Sequence, residues 1–251
     1  MAQPVSAEIC ASILSKLRAD YTFDESFLPS NFMASAHAHA IIPLDDGGGE
    51  GEFVMDSVLG QYVYRFPRRS GLIVNTSRVL TSQQSWSAVM KFKFDQVENY
   101  RRIFQMGDLT EDYGVYAEDG WFVFYEYDEI ERVVFYDAQY ATIGFTRDAN
   151  RNVHMYVNGT LVQSLEDTLN ASELLVEQLQ LFVDDGSEES AGYIARFQLY
   201  DGALSATEMS NIFNQQCTVN GDSDINGRKI GWIRTIGLAI LAMASILVAS
   251  L

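Results

Sequence analysis

Three carboxylates, Glu126, Asp128 and Glu131, stand within one short stretch, EYDEIE. Paired carboxylates equip a protein for glycoside hydrolysis, in which a retaining enzyme sets nucleophile and acid/base about 5 Å apart. On a flat strand Glu126 and Asp128 share a face and Glu131 points away unless a bulge intervenes. The stretch lies between two apolar runs, WFVFY and VVFY, and so reads as the solvated tip of a hairpin. A second acidic run, Asp184-Asp185-Gly186-Ser187-Glu188-Glu189, offers the hard oxygen ligands that Ca2+ takes from loops. Asp184, Asp185 and Glu188, joined by Asp108 from the loop after IFQM, are the candidate ligands; the plainer reading is a solvated acidic loop. His37 and His39 form a His-x-His pair suited to a transition metal, without an evident third ligand nearby. Arg65, Arg68, Arg69 and Arg78 make a basic cluster that either meets anionic glycans or is simply solvated.

The balance of charge bounds the partners. Against 34 acids the chain sets 17 Lys plus Arg, a net charge of −17. Such a molecule repels nucleic acid and anionic lipid at long range and favours neutral or cationic partners, or bound metal. DDGGGEG, residues 45–51, is acidic and lacks Lys, so it is no phosphate loop and reads as a flexible connection. Asn75, Asn158 and Asn170 each open an Asn-x-Ser/Thr acceptor sequence for N-glycosylation. The two cysteines, Cys10 and Cys217, would be free thiols in a reducing compartment and a disulfide in an exported protein.

The elements that must position these groups are mostly strands. SWSAVMKFKF alternates Trp86, Ala88, Met90, Phe92 and Phe94 with smaller or charged neighbours, the period of a half-buried strand. Asp119-Gly120 and Asn158-Gly159 each separate two such runs and predict two-residue hairpins. LQLFV and YIARFQLY supply further strands. A late helix opens at Ser205, with Glu208 completing a capping box and Leu204 and Met209 a hydrophobic staple. Near the start, residues 1–20 read as an amphipathic helix with Ile9, Ile13 and Leu17 on one face, and no signal peptide is evident. Short antiparallel strands in series predict an all-β, two-sheet sandwich with short peripheral helices.

ATIGFTRDANRNVHMYVNGTLV and LFVDDGSEESAGYIARFQLYDGALSATEM resemble the closing strands and helix entry of laminin-G-like, concanavalin-A-like jelly-roll domains. The resemblance runs from about Tyr21 to Phe213, with Tyr140 standing where many relatives carry Trp. It implies a jelly roll over residues 21–216 that binds a carbohydrate or a protein partner, in some relatives with Ca2+, and catalyses nothing. It also implies an alternative, because the Glu126-x-Asp128-x-x-Glu131 spacing is that of the laminarinase-like hydrolases of the same superfamily; a structural surface protein without a small ligand is the third reading. Jelly-roll chain ends lie together, so the resemblance further implies a Cys10–Cys217 bridge if the protein is exported.

After a polar linker, residues 217–234, no charge appears from Thr235 to Leu251. A helix of that length spans about 25 Å, slightly short of the ~30 Å bilayer core. Trp232, Arg228, Lys229 and Arg234 flank it as interface anchors. The segment reads as a C-terminal hydrophobic helix that enters a membrane. It is either a spanning anchor or a cleaved lipid-anchor signal with Gly221, Asp222 and Ser223 at the cut. The domain is then expected on the cell surface.

Overall fold

The computed structural model describes residues 7–30, 40–77, 79–106, 113–125, 127, 134–174, 177–183, 188 and 190–217. Helix α1 (Ala7–Lys16) leads directly into β1 (Leu17–Tyr21), followed by β2 (Ile42–Asp45), β3 (Glu52–Asp56), β4 (Gln61–Phe66) and β5 (Ser70–Asn75). Then come β6 (Trp86–Phe94), β7 (Tyr100–Gln105), β8 (Gly114–Glu118), β9 (Trp121–Phe124) and β10 (Ala141–Arg147). The chain closes with β11 (Asn152–Val157), β12 (Thr160–Glu166), β13 (Gln178–Leu181), β14 (Gly192–Asp201) and α2 (Ala206–Phe213).

Two antiparallel sheets result among the described residues. The larger runs β12-β11-β10-β6-β14-β4-β3, with β1 also on β14; the smaller runs β2-β5-β13-β7-β8-β9. β14 is the longest strand and serves three partners. One edge pairs along its length with β6, while the other takes β4 at Gly192–Ile194 and β1 from Phe197 to Tyr200. The inward residues of both sheets form one apolar cluster. Trp86 is fully buried, stacks on Phe145 at 5.1 Å and donates from Nε1 to the Ser172 carbonyl at 3.0 Å. Phe66 stacks on Phe182 at 4.1 Å, joining the sheets through their rings.

The expected period holds along β6, where Trp86, Ala88, Met90, Phe92 and Phe94 all enter the core. Both X-Gly turns adopt the left-handed backbone that a two-residue hairpin of the primed type requires: Asp119 and Gly120 at φ 46° and 85°, Asn158 and Gly159 at 48° and 85°. The capping box at Ser205 and Glu208 is present with both of its hydrogen bonds. Two expectations give way. The N-terminal helix stops at Lys16, because Leu17–Tyr21 pair with β14 and gain its ladder bonds. VVFY does not return as a strand where it is described: the Val134 and Phe135 N–H groups both donate to the Gly120 carbonyl, at 2.8 and 2.9 Å, and Phe135 plugs the core.

A second, smaller apolar cluster lies on the outer face of the larger sheet. There Ile13 of α1 and Met209 and Ile212 of α2 cover Val89, Tyr156 and Tyr200. Ile9 and Leu17, the other two residues of the predicted apolar stripe, pack against it. The predicted C-terminal helix, residues 235–251, lies outside the described residues, and no described helix is long and apolar enough to cross a membrane.

Candidate functional site

The edge strands β2 and β3 belong to different sheets, and a cleft of about 260 Å3 opens between them. Its floor is a triangle of rings. Phe27, from the segment after β1, lies 4.8 Å from Phe53 of β3 and 5.0 Å from Tyr64 of β4, and Phe53 lies 5.4 Å from Tyr64. Pro43 and Leu44 of β2 complete the apolar wall, and Asp45, Glu50 and Gly51 form the rim. Phe27 is fixed through its backbone, whose carbonyl accepts from the Ile41 N–H at 2.9 Å. Tyr64 alternates inward between Val63 and Arg65, as a strand requires.

The rim loop is the DDGGGEG segment, and it is held rather than loose. Asp45 Oδ1 accepts from the Gly47 and Gly49 N–H groups at 2.8 and 2.9 Å. The Asp46 and Gly48 N–H groups both donate to the Arg69 carbonyl, at 2.9 and 3.1 Å. A Cβ on Gly48 would stand 1.8 Å from the Arg68 carbonyl oxygen, so only glycine permits this approach. Composition predicted flexibility; instead Gly48 and Gly51 serve close packing, and Gly47 and Gly49 take the positive φ of the turn. The bonds from Gly49 and Gly47 hold the Asp45 carboxyl below its ordinary value, so it is an acceptor at neutral pH. Burial, followed by the nearby Glu50 charge, raises the Tyr64 phenol, against a hydrogen bond from the Gly51 N–H. Apolar rings below two carboxyl side chains form a site for a ligand with one hydrophobic face and a hydroxylated edge. The volume falls just under the ~300 Å3 lower end of small-molecule sites, room for one ring rather than a chain.

Of the segments singled out from the sequence only DDGGGEG, read there as a connection, reaches this cleft, and none of the described candidate site residues lines it. Among the candidate calcium ligands, Asp108, Asp184 and Asp185 lie outside the described residues. Glu188 is half-buried with a carboxylate oxygen 3.9 Å from the Arg102 guanidinium, and no cluster of three potential ligands occurs among the described residues. Glu126, Asp128 and Glu131 also lie outside them, as do His37, His39 and Arg78. Tyr127, inside the same stretch, is described: its hydroxyl donates to Asp167 Oδ1 at 2.7 Å. Asp167 in turn is fully buried against Arg147, with Nε 3.1 Å from Oδ2. Arg68 and Arg69 sit at the turn beneath the rim loop, while Arg65 belongs to the outer face of the larger sheet.

The Cys10 and Cys217 sulfurs stand 2.00 Å apart, joining the start of α1 to the residues just past α2. Of the sequon asparagines, Asn158 and Asn170 are exposed and Asn75 is half-buried. Each uses its side-chain oxygen locally, accepting from the Thr142 N–H, from Arg147 Nη2 and from the Ser77 N–H respectively. Tyr140 makes no core contact. It stands on the outer sheet face with its hydroxyl 2.9 Å from Asp56 Oδ2.

No known family model and no curated protein matches this sequence. Solved structures do. Domain 4 of AbnA, a GH43 extracellular arabinanase from Geobacillus stearothermophilus solved with arabinotriose, is 16% identical at a TM-score of 0.59, over 78% of this chain and 97% of that one. The ligand-binding domain of botulinum neurotoxin serotype D, solved with N-acetylneuraminic acid, is 14% identical at a TM-score of 0.61, over 88% of this chain and 56% of that one. The binding domain of botulinum neurotoxin DC, solved with rat synaptotagmin II, is 13% identical at a TM-score of 0.58, covering 86% and 55%. The chain thus spans nearly all of the arabinanase domain and little more than half of the neurotoxin ones. At these identities the likeness shows a shared β-sandwich fold alone.

Proposed function

We propose that this chain is a non-catalytic recognition module that seats one neutral sugar ring in the cleft between β2 and β3. The observation that carries the reading is the ring triangle Phe27–Phe53–Tyr64 beneath the acceptors Asp45 and Glu50. A pyranose or furanose presents just such an apolar C–H face and hydroxyl edge, and ionised acceptors form the stronger class of hydrogen bond with hydroxyls. The net charge of −17 agrees with a neutral ligand. Support also comes from the neighbouring fold solved with arabinotriose, a neutral sugar. In this reading the segment from Thr235 to Leu251 tethers the module at the cell surface.

The test is a glycan array on the full-length protein, followed by titration of the best neutral ligand. Phe53→Ala and Glu50→Gln should each weaken binding about tenfold, the loss of one good contact. A blank array with capture of a protein partner would replace the sugar with a protein. Cleavage of a β-glucan that vanishes in Glu126→Gln would make the chain a hydrolase. Chelator separates the cleft from a Ca2+-assisted site at Asp108, Asp184, Asp185 and Glu188: binding at the cleft persists without metal.

A further inference from the structure

On the outer face of the larger sheet, cations and rings alternate. Register sets Glu52 of β3 beside Arg65 of β4, Arg65 beside Tyr193 of β14, and Tyr193 beside Lys93 of β6. The Lys93 ammonium lies 4.3 Å from the Tyr193 ring centre and 4.5 Å from that of Tyr140, and the Arg65 guanidinium lies 5.9 Å from Tyr193. In the next row Lys91 pairs in register with Arg196. Three adjacent strands of a chain with net charge −17 thus place four cations on one face.

Two acids of this face are buried together with the cations they pair, and the third holds loosely. Asp20 is fully buried and takes Arg196 through both oxygens, at 2.8 and 2.5 Å. Asp56 is nearly buried and takes Lys93 at 3.0 Å together with the Tyr140 hydroxyl. Glu52 reaches Arg65 only at 3.8 Å, and both side chains are open to solvent, 66% and 42% exposed. An exposed pair of that kind contributes little and is readily exchanged. Arg65 is therefore the cation best placed to change partner. Lys93, fixed by two rings and a carboxylate, loses little side-chain freedom if a ligand joins it.

We infer that this face is a second saccharide site, distinct from the cleft, which takes an acidic sugar through Arg65 and Lys93 on either side of Tyr193. A bilayer fits less well: the overall negative charge repels an extended anionic surface, whereas a short oligosaccharide meets only the local field, within about 8 Å at physiological ionic strength. Tyr64 and Arg65 alternate on β4, so the two sites lie on opposite sides of one strand and are separable by mutation.

The experiment titrates full-length protein with uronic-acid and sulfated trisaccharides, each beside its methyl-esterified or desulfated twin, and with phosphatidylserine vesicles. At least one acidic trisaccharide should bind about tenfold more tightly than its twin. That preference should shrink several-fold as ionic strength rises to about 0.15 M. Arg65→Gln should abolish most of it and Arg65→Lys restore part, while neutral-sugar binding at the cleft stays unchanged. Phe53→Ala should do the reverse. Acidic and neutral twins binding alike, no effect of Arg65→Gln, or vesicle binding without saccharide binding would each overturn the inference.

Discussion

Gly144 shows how one side chain's absence sets the architecture. It lies on the outward side of β10 at the point where α2 presses on the sheet, and a Cβ there would stand 2.6 Å from Met209 Sδ and 2.9 Å from its Cε. Met209 is fully buried, so it has nowhere open to retreat. Gly144→Ala should destabilise by about 1–3 kcal/mol through overpacking, read as a lowered denaturation midpoint with the β spectrum retained. An unchanged midpoint would mean that Met209 repacks without strain. Arg147 and Asp167 follow a different rule. Both are buried and paired, and Asp167 also accepts from the Ala171 and Ser172 N–H groups and from the Ser172 and Tyr127 hydroxyls. Burial alone would raise the Asp167 carboxyl; these bonds outweigh it and hold it below its ordinary value. Arg147→Met leaves that buried charge short of a partner and should cost about 3–5 kcal/mol in chemical denaturation.

At the scale of elements, the α1–α2 pair is organised by Glu208. The Lys16 ammonium lies 2.8 Å away, Ser12 Oγ donates at 2.7 Å, and the Ser205 N–H donates at 2.7 Å. Burial pulls the Glu208 carboxyl upward, but the Lys16, Ser12 and Ser205 bonds prevail and bring it down to about 2. A carboxyl depressed on folding adds stability that is fully present above its unfolded value and is lost as pH falls through the folded one. The contribution should therefore fade between about pH 4.5 and about pH 2. Glu208→Gln should lower the denaturation midpoint at neutral pH, with the gap from wild type closing across that window. A gap independent of pH would refute the pairing. This helix was legible because a capping box is a local signal, as were the X-Gly hairpins and the two-residue period of β6. β1 was not: LRADY continues a helical pattern, and only the distant β14 makes it a strand. The cleft was hidden for the same reason. Phe27, Phe53 and Tyr64 share no period, and their meeting depends on two sheets ending side by side. Asp45 with Gly47 and Gly49 carried the one local clue, an acceptor placed to collect the N–H groups that follow it.

In the whole molecule, Cys10–Cys217 spans 207 residues and encloses the described sandwich. Cys10→Ser should cost about 2–5 kcal/mol of stability under oxidising conditions and nothing in reductant, measured by thermal unfolding with and without thiol. Equal midpoints under both conditions would show that the bridge is not formed in solution. A force arriving through the chain beyond Cys217 meets this bridge before it reaches α2. Without the bridge, tension would peel α2 and then draw β14 from the middle of its sheet, unfastening β6, β4 and β1 in turn. With it, the load divides between α2 and α1, and so between β14 and β1, two strands already hydrogen-bonded to each other. Tension arriving from beyond Cys217 would then load β14 and β1 together rather than unzip β14 alone.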